Sequence, residues 1–253
     1  MKVLHRLILL FSVIIGSSFY SCKKSDGSVP EMGYGYFPTD AGRYVIYDVD
    51  STYYDDFYTP TKAVNYKFLL KEKIQSTFTD NQNRPTLRLE RYVKYYDSLV
   101  PYSSQPWVLR DVWMGNLNTT TAEKVEENVR YTKLIFPVRK DKSWNANVQN
   151  TNEEKDFSYE YVDTPEKVGA IYFDNVLQTL YDDGGRILTS REYRTEKYAK
   201  GVGMVYREEI VIESQPRSGA TTLELQTFYA KPIMQRVTSG YKFTMTVKSY
   251  GTE

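Results

Sequence analysis

The sequence predicts an all-β fold: one antiparallel domain, wound as a strongly curved sheet or open half barrel, with one or two short helices. Three observations carry this. Apolar residues recur with period two along most of the chain. The 253 residues include 24 tyrosines, with 11 Phe and 3 Trp, which favour strands and pair across them. Helical periodicity is scarce.

Taken in order, Val45, Tyr47 and Val49 share one face of a first strand, and Val64, Tyr66, Phe68 and Leu70 one face of a second. Leu87, Leu89, Val93 and Tyr95 nearly do so in a third, and Trp107, Leu109 and Trp113 mark a fourth. Phe157, Tyr159 and Tyr161 mark another, and Leu223, Leu225 and Tyr229 a later one. The last strand is the cleanest: Tyr241, Phe243, Met245 and Val247 alternate with Lys242, Thr244, Thr246 and Lys248. Turns are expected at Asp80-Asn81-Gln82-Asn83, at Asp182-Asp183-Gly184-Gly185 and at Ser239-Gly240. The two helical expectations are Thr121 to Asn128, with Thr121 as cap, and a single turn from Asp163 to Val168 with Pro165 early in it.

The N-terminus reads as a sorting address. Lys2, His5 and Arg6 form a basic start, Leu7 to Ile15 is apolar, and Gly16-Ser17-Ser18 follows. The apolar run falls short of the ~20 residues that a spanning helix needs. Residues 1–21 are thus expected to be a signal peptide, 22–34 a polar tether beginning with Lys23 and Lys24, and 35–253 a single β-rich domain. Losing Lys2 and Arg6 with the signal turns the formal charge from +1 to −1. With charge so balanced and no long basic block, nucleic acid is excluded as a partner.

Phe19-Tyr20-Ser21-Cys22 resembles a bacterial lipobox, with a small residue before the cysteine. Cys22 is the sole cysteine and has no disulfide partner within the chain. The resemblance implies a diacylglyceryl thioether and an N-acyl chain on Cys22, and two or more chains anchor stably. Three stretches resemble a pattern in cell-envelope lipoproteins of the Bacteroidota: YFPTDAGRYVIYDVDS from Tyr36, KLIFPVRKDKSWNAN from Lys133 and EKYAKGVGMVY from Glu196. That likeness implies an outer-membrane, lipid-anchored protein and a β fold, and it brings no activity with it. Surface-export signals in these bacteria place acids directly after the cysteine, so Lys23 and Lys24 favour the periplasmic face. Asp50-Ser51-Thr52 and Asp97-Ser98-Leu99 resemble the O-glycosylation acceptor of this phylum, making Ser51 and Ser98 candidate sites.

His5 is the only histidine and leaves with the signal. The mature chain therefore lacks a His base, a His metal ligand and any Ser-His-Asp or Cys-His set, and no cofactor is expected. Gly201-Val202-Gly203 lacks a third glycine and a P-loop lysine, and reads as a bulge or a close backbone approach inside a strand rather than a phosphate loop. The leading expectation is a non-catalytic module binding a glycan, a lipid or an envelope protein, with Trp107, Trp113 and Trp144 or exposed tyrosines as a stacking platform. The alternatives are a lipid or lipoprotein carrier and a carboxylate-based hydrolase such as a glycosidase. The latter requires an Asp/Glu pair about 5–10 Å apart in one cleft. Asp48 and Asp50, on one strand face, are the most suggestive pair.

Overall fold

In the computed structural model, which describes residues 31–57, 61–95, 98–185 and 187–253, alternation translates directly into walls. β1 (Arg43–Asp55) buries Val45, Tyr47 and Val49 and turns Asp48 and Asp50 outward. It is followed by β2 (Lys62–Thr79), β3 (Pro85–Tyr95), β4 (Val108–Leu117), β5 (Thr121–Glu126), β6 (Val129–Ile135) and β7 (Ser143–Asn145). Then come β8 (Asp156–Val168), β9 (Ile171–Asp182), β10 (Ser190–Ala199), β11 (Gly203–Glu213), helix α1 (Thr222–Tyr229) and β12 (Ser239–Thr252). All twelve strands form one antiparallel sheet in the order β6-β5-β4-β3-β2-β1-β12-β11-β10-β9-β8-β7.

Every neighbour is a neighbour in sequence except one pair: β1 lies against β12, with Tyr47 opposite Val247 and Tyr53 opposite Tyr241. That pairing rolls the meander into a nearly closed barrel and leaves a single seam between β6 and β7. The seam is bridged sparsely. Thr132 N–H donates to the Ala146 carbonyl (2.9 Å), the Trp144 indole to the Thr132 carbonyl (3.0 Å) and the Asn150 amide to the Arg130 carbonyl (2.7 Å). Tyr159 adds its hydroxyl, which accepts from Ile135 N–H at 2.9 Å and donates to the Ile135 carbonyl at 2.8 Å.

One end of the barrel is stoppered by the chain that enters it. Tyr36 and Phe37, in and after a 3-10 turn at Tyr34–Tyr36, are buried among the core side chains. Met32 accepts from Val138 N–H (3.1 Å), Gly35 from Gly201 N–H (2.7 Å), and the Tyr36 hydroxyl donates to Asp163 Oδ1 (2.7 Å). Gly203 supplies the expected close approach: with φ +97° and a would-be Cβ 3.2 Å from Pro38, it lets the β10–β11 turn sit against this segment. Above the stopper, Tyr47, Leu70, Leu89, Leu134, Tyr159 and Tyr198 form the apolar core.

Three local expectations are corrected. Thr121 to Asn128 is not a helix: Thr121–Glu126 is β5, with all five residues from Ala122 to Glu126 buried. Its charges are taken by partners on both sides of the wall, Lys124 by Glu72 and Glu123 by Arg130. Asp163 to Val168 belongs to β8, where register shifts absorb Pro165. Beyond its short pairing with β7, that stretch is an edge, where proline costs no ladder hydrogen bond. Conversely Leu223, Leu225 and Tyr229 lie on helix α1, capped reciprocally by Thr221 and Glu224 and burying none of its residues.

Candidate functional site in the barrel lumen

The period that fills the core with apolar residues also turns charges inward. Glu72 falls between Leu70 and Ile74 on β2, and Arg91 between Leu89 and Val93 on β3. Lys124 and Glu126 come from β5, Lys133 from β6, Arg194 and Glu196 from β10, and Arg207 and Glu209 from β11. These side chains cross the lumen and meet.

Arg207 is the hub. It donates to Glu126 at 3.1 Å and to Glu209 at 2.7 Å, and lies 3.7 Å from Glu196. Lys133 bridges Glu196 (2.5 Å) and Glu126 (3.4 Å), and Arg194 reaches Glu209 at 2.9 Å. On the β2–β4 side Lys124 pairs with Glu72, and Arg91 holds Asp111 at 3.0 Å with its guanidinium 3.5 Å over the Trp113 ring. Five cations thus face five carboxylates among these groups, and the residues lining the space above them also balance, six cations to six carboxylates.

At Glu126, Glu209 and Lys133 burial is opposed by the pairing, and the pairing wins. Burial raises the Glu126 carboxyl, but Arg207, Lys133 and Lys124 hold it well below the usual carboxylate range. Glu209 is brought down to about 2 in the same way, by Arg207 and Arg194. Burial lowers Lys133, yet Glu126 and Glu196 leave it above its ordinary value. Arg91 is the exception: desolvation pulls it down more than Glu72, Glu126 and Asp111 restore. Accordingly Arg91 Nε and Glu72 Oε2 stand 3.8 Å apart, both buried without a hydrogen-bond partner.

Over this floor the barrel is hollow. A cavity of about 900 Å³ is bounded by Arg91, Glu126, Lys133, Arg207 and Glu209 below and by Phe157, Tyr241 and Phe243 on the walls. This is the size range of sites for small molecules.

The residues singled out in the sequence fall elsewhere or only at its margin. Trp113 and Trp144 are each 8% exposed; one ring face of Trp113 is covered by Arg91, and Trp144 packs 4.7 Å from Tyr159 while bonding across the seam. Trp107 lies before β4, half-buried, with Lys94 5.1 Å over its ring. These three indoles do not form one platform. Asp48 and Asp50 are neutralised on the outer wall by Lys248 (2.9 Å) and Lys67 (3.2 Å). Ser51 sits half-buried within β1 and Ser98 is exposed between β3 and β4. Cys22 and Asp97 lie outside the described residues. Among the described residues no group of three or more Asp or Glu is placed to hold a metal ion, and no helix is long and apolar enough to cross a membrane.

Sequence reasoning missed the ionic lumen. Its only local signal was charge at positions where the period demands the inner face, as in Lys124 and Glu126, and that same signal mimics a helix.

No protein-family model and no curated protein matches the chain. Two solved structures are similar to it. One is a protein described as exported, with a YmcC-like fold, from Bacteroides fragilis: 8% identity, 85% of this chain and 98% of that one covered, TM-score 0.42. The other is described as a lipoprotein, from Parabacteroides distasonis: 8% identity, the same 85% and 98% coverage, TM-score 0.37.

Proposed function

We propose that the chain is a lipoprotein of the bacterial outer membrane, anchored through Cys22 on the periplasmic face, whose barrel is a non-catalytic binding module with the lumen as its site. The observation that carries the binding reading is a cavity of about 900 Å³ over a floor of paired charges. Such a floor offers many fixed donors and acceptors.

The hydrolase reading has one observation in its favour. Glu126 and Glu196 share Lys133 (3.4 and 2.5 Å), so two carboxylates face one another across the lumen, the residue type that glycoside hydrolysis uses. A general acid must hold a proton near neutral pH. Glu126 is instead kept ionised by Arg207 and Lys133, and both oxygens of Glu196 already accept, from Lys133 and from the Tyr198 hydroxyl. With Glu126 ionised and Glu196 engaged on both oxygens, binding is favoured over cleavage.

The anchor is supported by the sole cysteine, the small residue before it and the polar tether after it. Radioactive palmitate labelling and fractionation of cells expressing wild type or Cys22→Ser test it. Label and membrane recovery are expected for wild type alone. Label on the variant, or an unlabelled and soluble wild type, overturns the assignment. Ready digestion of the domain by protease added to intact cells overturns the periplasmic face.

A further inference from the structure

Above the ionic floor, four tyrosines cross the inner wall in a single line. Tyr241 of β12 stands directly opposite Tyr53 of β1. Tyr53 pairs with Val64 while Tyr66 pairs with Ser51, so Tyr53 and Tyr66 are diagonal neighbours. Tyr95 faces Phe68 and is the diagonal neighbour of Tyr66 in turn. Diagonal neighbours on a sheet face lie about 7–8 Å apart, within reach of aromatic rings.

Alternation fixes which side the line is on. Tyr53 shares its face with buried Val49, Tyr66 with Leu70, Tyr95 with Val93 and Tyr241 with Met245. All four therefore stand on the inner face: Tyr241 lines the cavity, and Tyr53, Tyr66 and Tyr95 continue the row beyond its rim. Yet Tyr53, Tyr66 and Tyr95 are 49%, 55% and 61% exposed. The reason is the shape of the barrel. The row stands on strands of 13, 18 and 14 residues (β1, β2 and β12), whereas the seam strands on the opposite side have 7 and 3 (β6 and β7). A tall aromatic wall faces a low one, and the rings are open from the side.

The chemistry of row and floor together selects a ligand. A lining whose formal charges cancel gives a charged ligand no net attraction, and a charge seated on the Arg207–Glu209 floor would compete with an existing pair. An acyl chain would meet hydroxyl-bearing rings and Ser51 instead of an aliphatic lining. A chain of rings with apolar C–H faces and hydroxyl edges fits both parts, because aromatic faces take its flat sides and the ion-paired side chains its hydroxyls.

We propose that the lumen binds a neutral oligosaccharide stacked along Tyr53, Tyr66 and Tyr95, with its hydroxyls bonded to the Arg207–Glu209 floor. This deepens the reading of the lumen as a binding site and rests on it.

The test is isothermal titration of the full-length protein, solubilised in detergent, with neutral glucan, mannan and xylan oligosaccharides, a uronate oligosaccharide and a short-chain phospholipid. A neutral oligosaccharide is expected to bind, with affinity falling about tenfold in Tyr66→Ala and holding in Tyr66→Phe. Tyr54→Ala, on the outer face, is the control for non-specific loss and is expected to bind as wild type. Binding of the uronate or the phospholipid alone, lost in Tyr66→Ala, overturns the neutral-glycan assignment and keeps the lumen as a site. Binding by none of the probes overturns both, as does neutral binding that Tyr66→Ala leaves unchanged.

Discussion

Arg207 on β11 and Glu126 on β5, 81 residues apart in sequence, meet at 3.1 Å across the lumen and tie opposite walls of the barrel together. Removing the cation leaves Glu126, Glu196 and Glu209 crowded and under-compensated. Arg207→Met is expected to cost about 3–5 kcal/mol. Urea unfolding of the single variant and of Arg207→Met with Glu126→Leu measures it. The double variant should lose less than the single, since the stranded charge has gone too; equal or greater loss would contradict the cross-lumen pairing.

Stability should fall in acid. Glu126 and Glu209 have carboxyls lowered in the folded state below the ordinary ~4.3 of an unfolded chain. Their contribution is complete above that value and is lost as pH falls through the folded one, about 2 for Glu209. The urea midpoint is expected to be level from pH 7 to about 5 and to drop steadily below. Glu209→Gln should flatten that drop. An unchanged acid slope in the variant would remove Glu209 from the account.

Trp144 ties the seam through its indole. Trp144→Phe keeps the ring against Tyr159 and removes the indole N–H that bonds the Thr132 carbonyl. The expected loss is about 1–2 kcal/mol, with faster amide exchange confined to β6 and β7. Exchange rising uniformly over all strands would mean that the seam is not a separate unit of stability.

Helix α1 should be separable from the barrel. Its capping box joins Thr221 and Glu224, with Thr221 N–H donating to Glu224 Oε2 at 2.8 Å, but it buries none of its residues. Thr221→Ala is expected to weaken the helix by ~1 kcal/mol, seen as faster exchange from Leu223 to Tyr229. The global unfolding midpoint should stay put. A midpoint shift as large as the local one would place the helix in the cooperative unit.

Much of the barrel is legible in residues whose period and surroundings agree. Val45, Tyr47 and Val49, and later Met245 and Val247, bury as their alternation demands, while Tyr241 and Phe243 are half-buried. The hairpin at Asp182 to Gly185 also sits where its turn residues place it, between β9 and β10. Agreement fails where an inward position is charged. Lys124 and Glu126 are silent about Glu72 and Arg207, because those partners arrive from strands on distant parts of the chain. Leu223, Leu225 and Tyr229 failed in the opposite sense: a few apolar residues fit period two by chance, while the T-x-x-E at Thr221 and Glu224 was the better guide. The tyrosine row was half visible. Composition pointed to stacking on exposed tyrosines, but the line itself exists only in the register of four strands.

The stopper at the closed end has a mechanical consequence. Tension on the chain ahead of Met32 does not peel a strand from the sheet. It loads the Met32–Val138, Gly35–Gly201 and Tyr36–Asp163 bonds together, on three separate parts of the barrel, with Tyr34 adding a fourth through the Thr119 carbonyl at 3.0 Å. Any pull there acts on a cork that is wired to the bottle at four points.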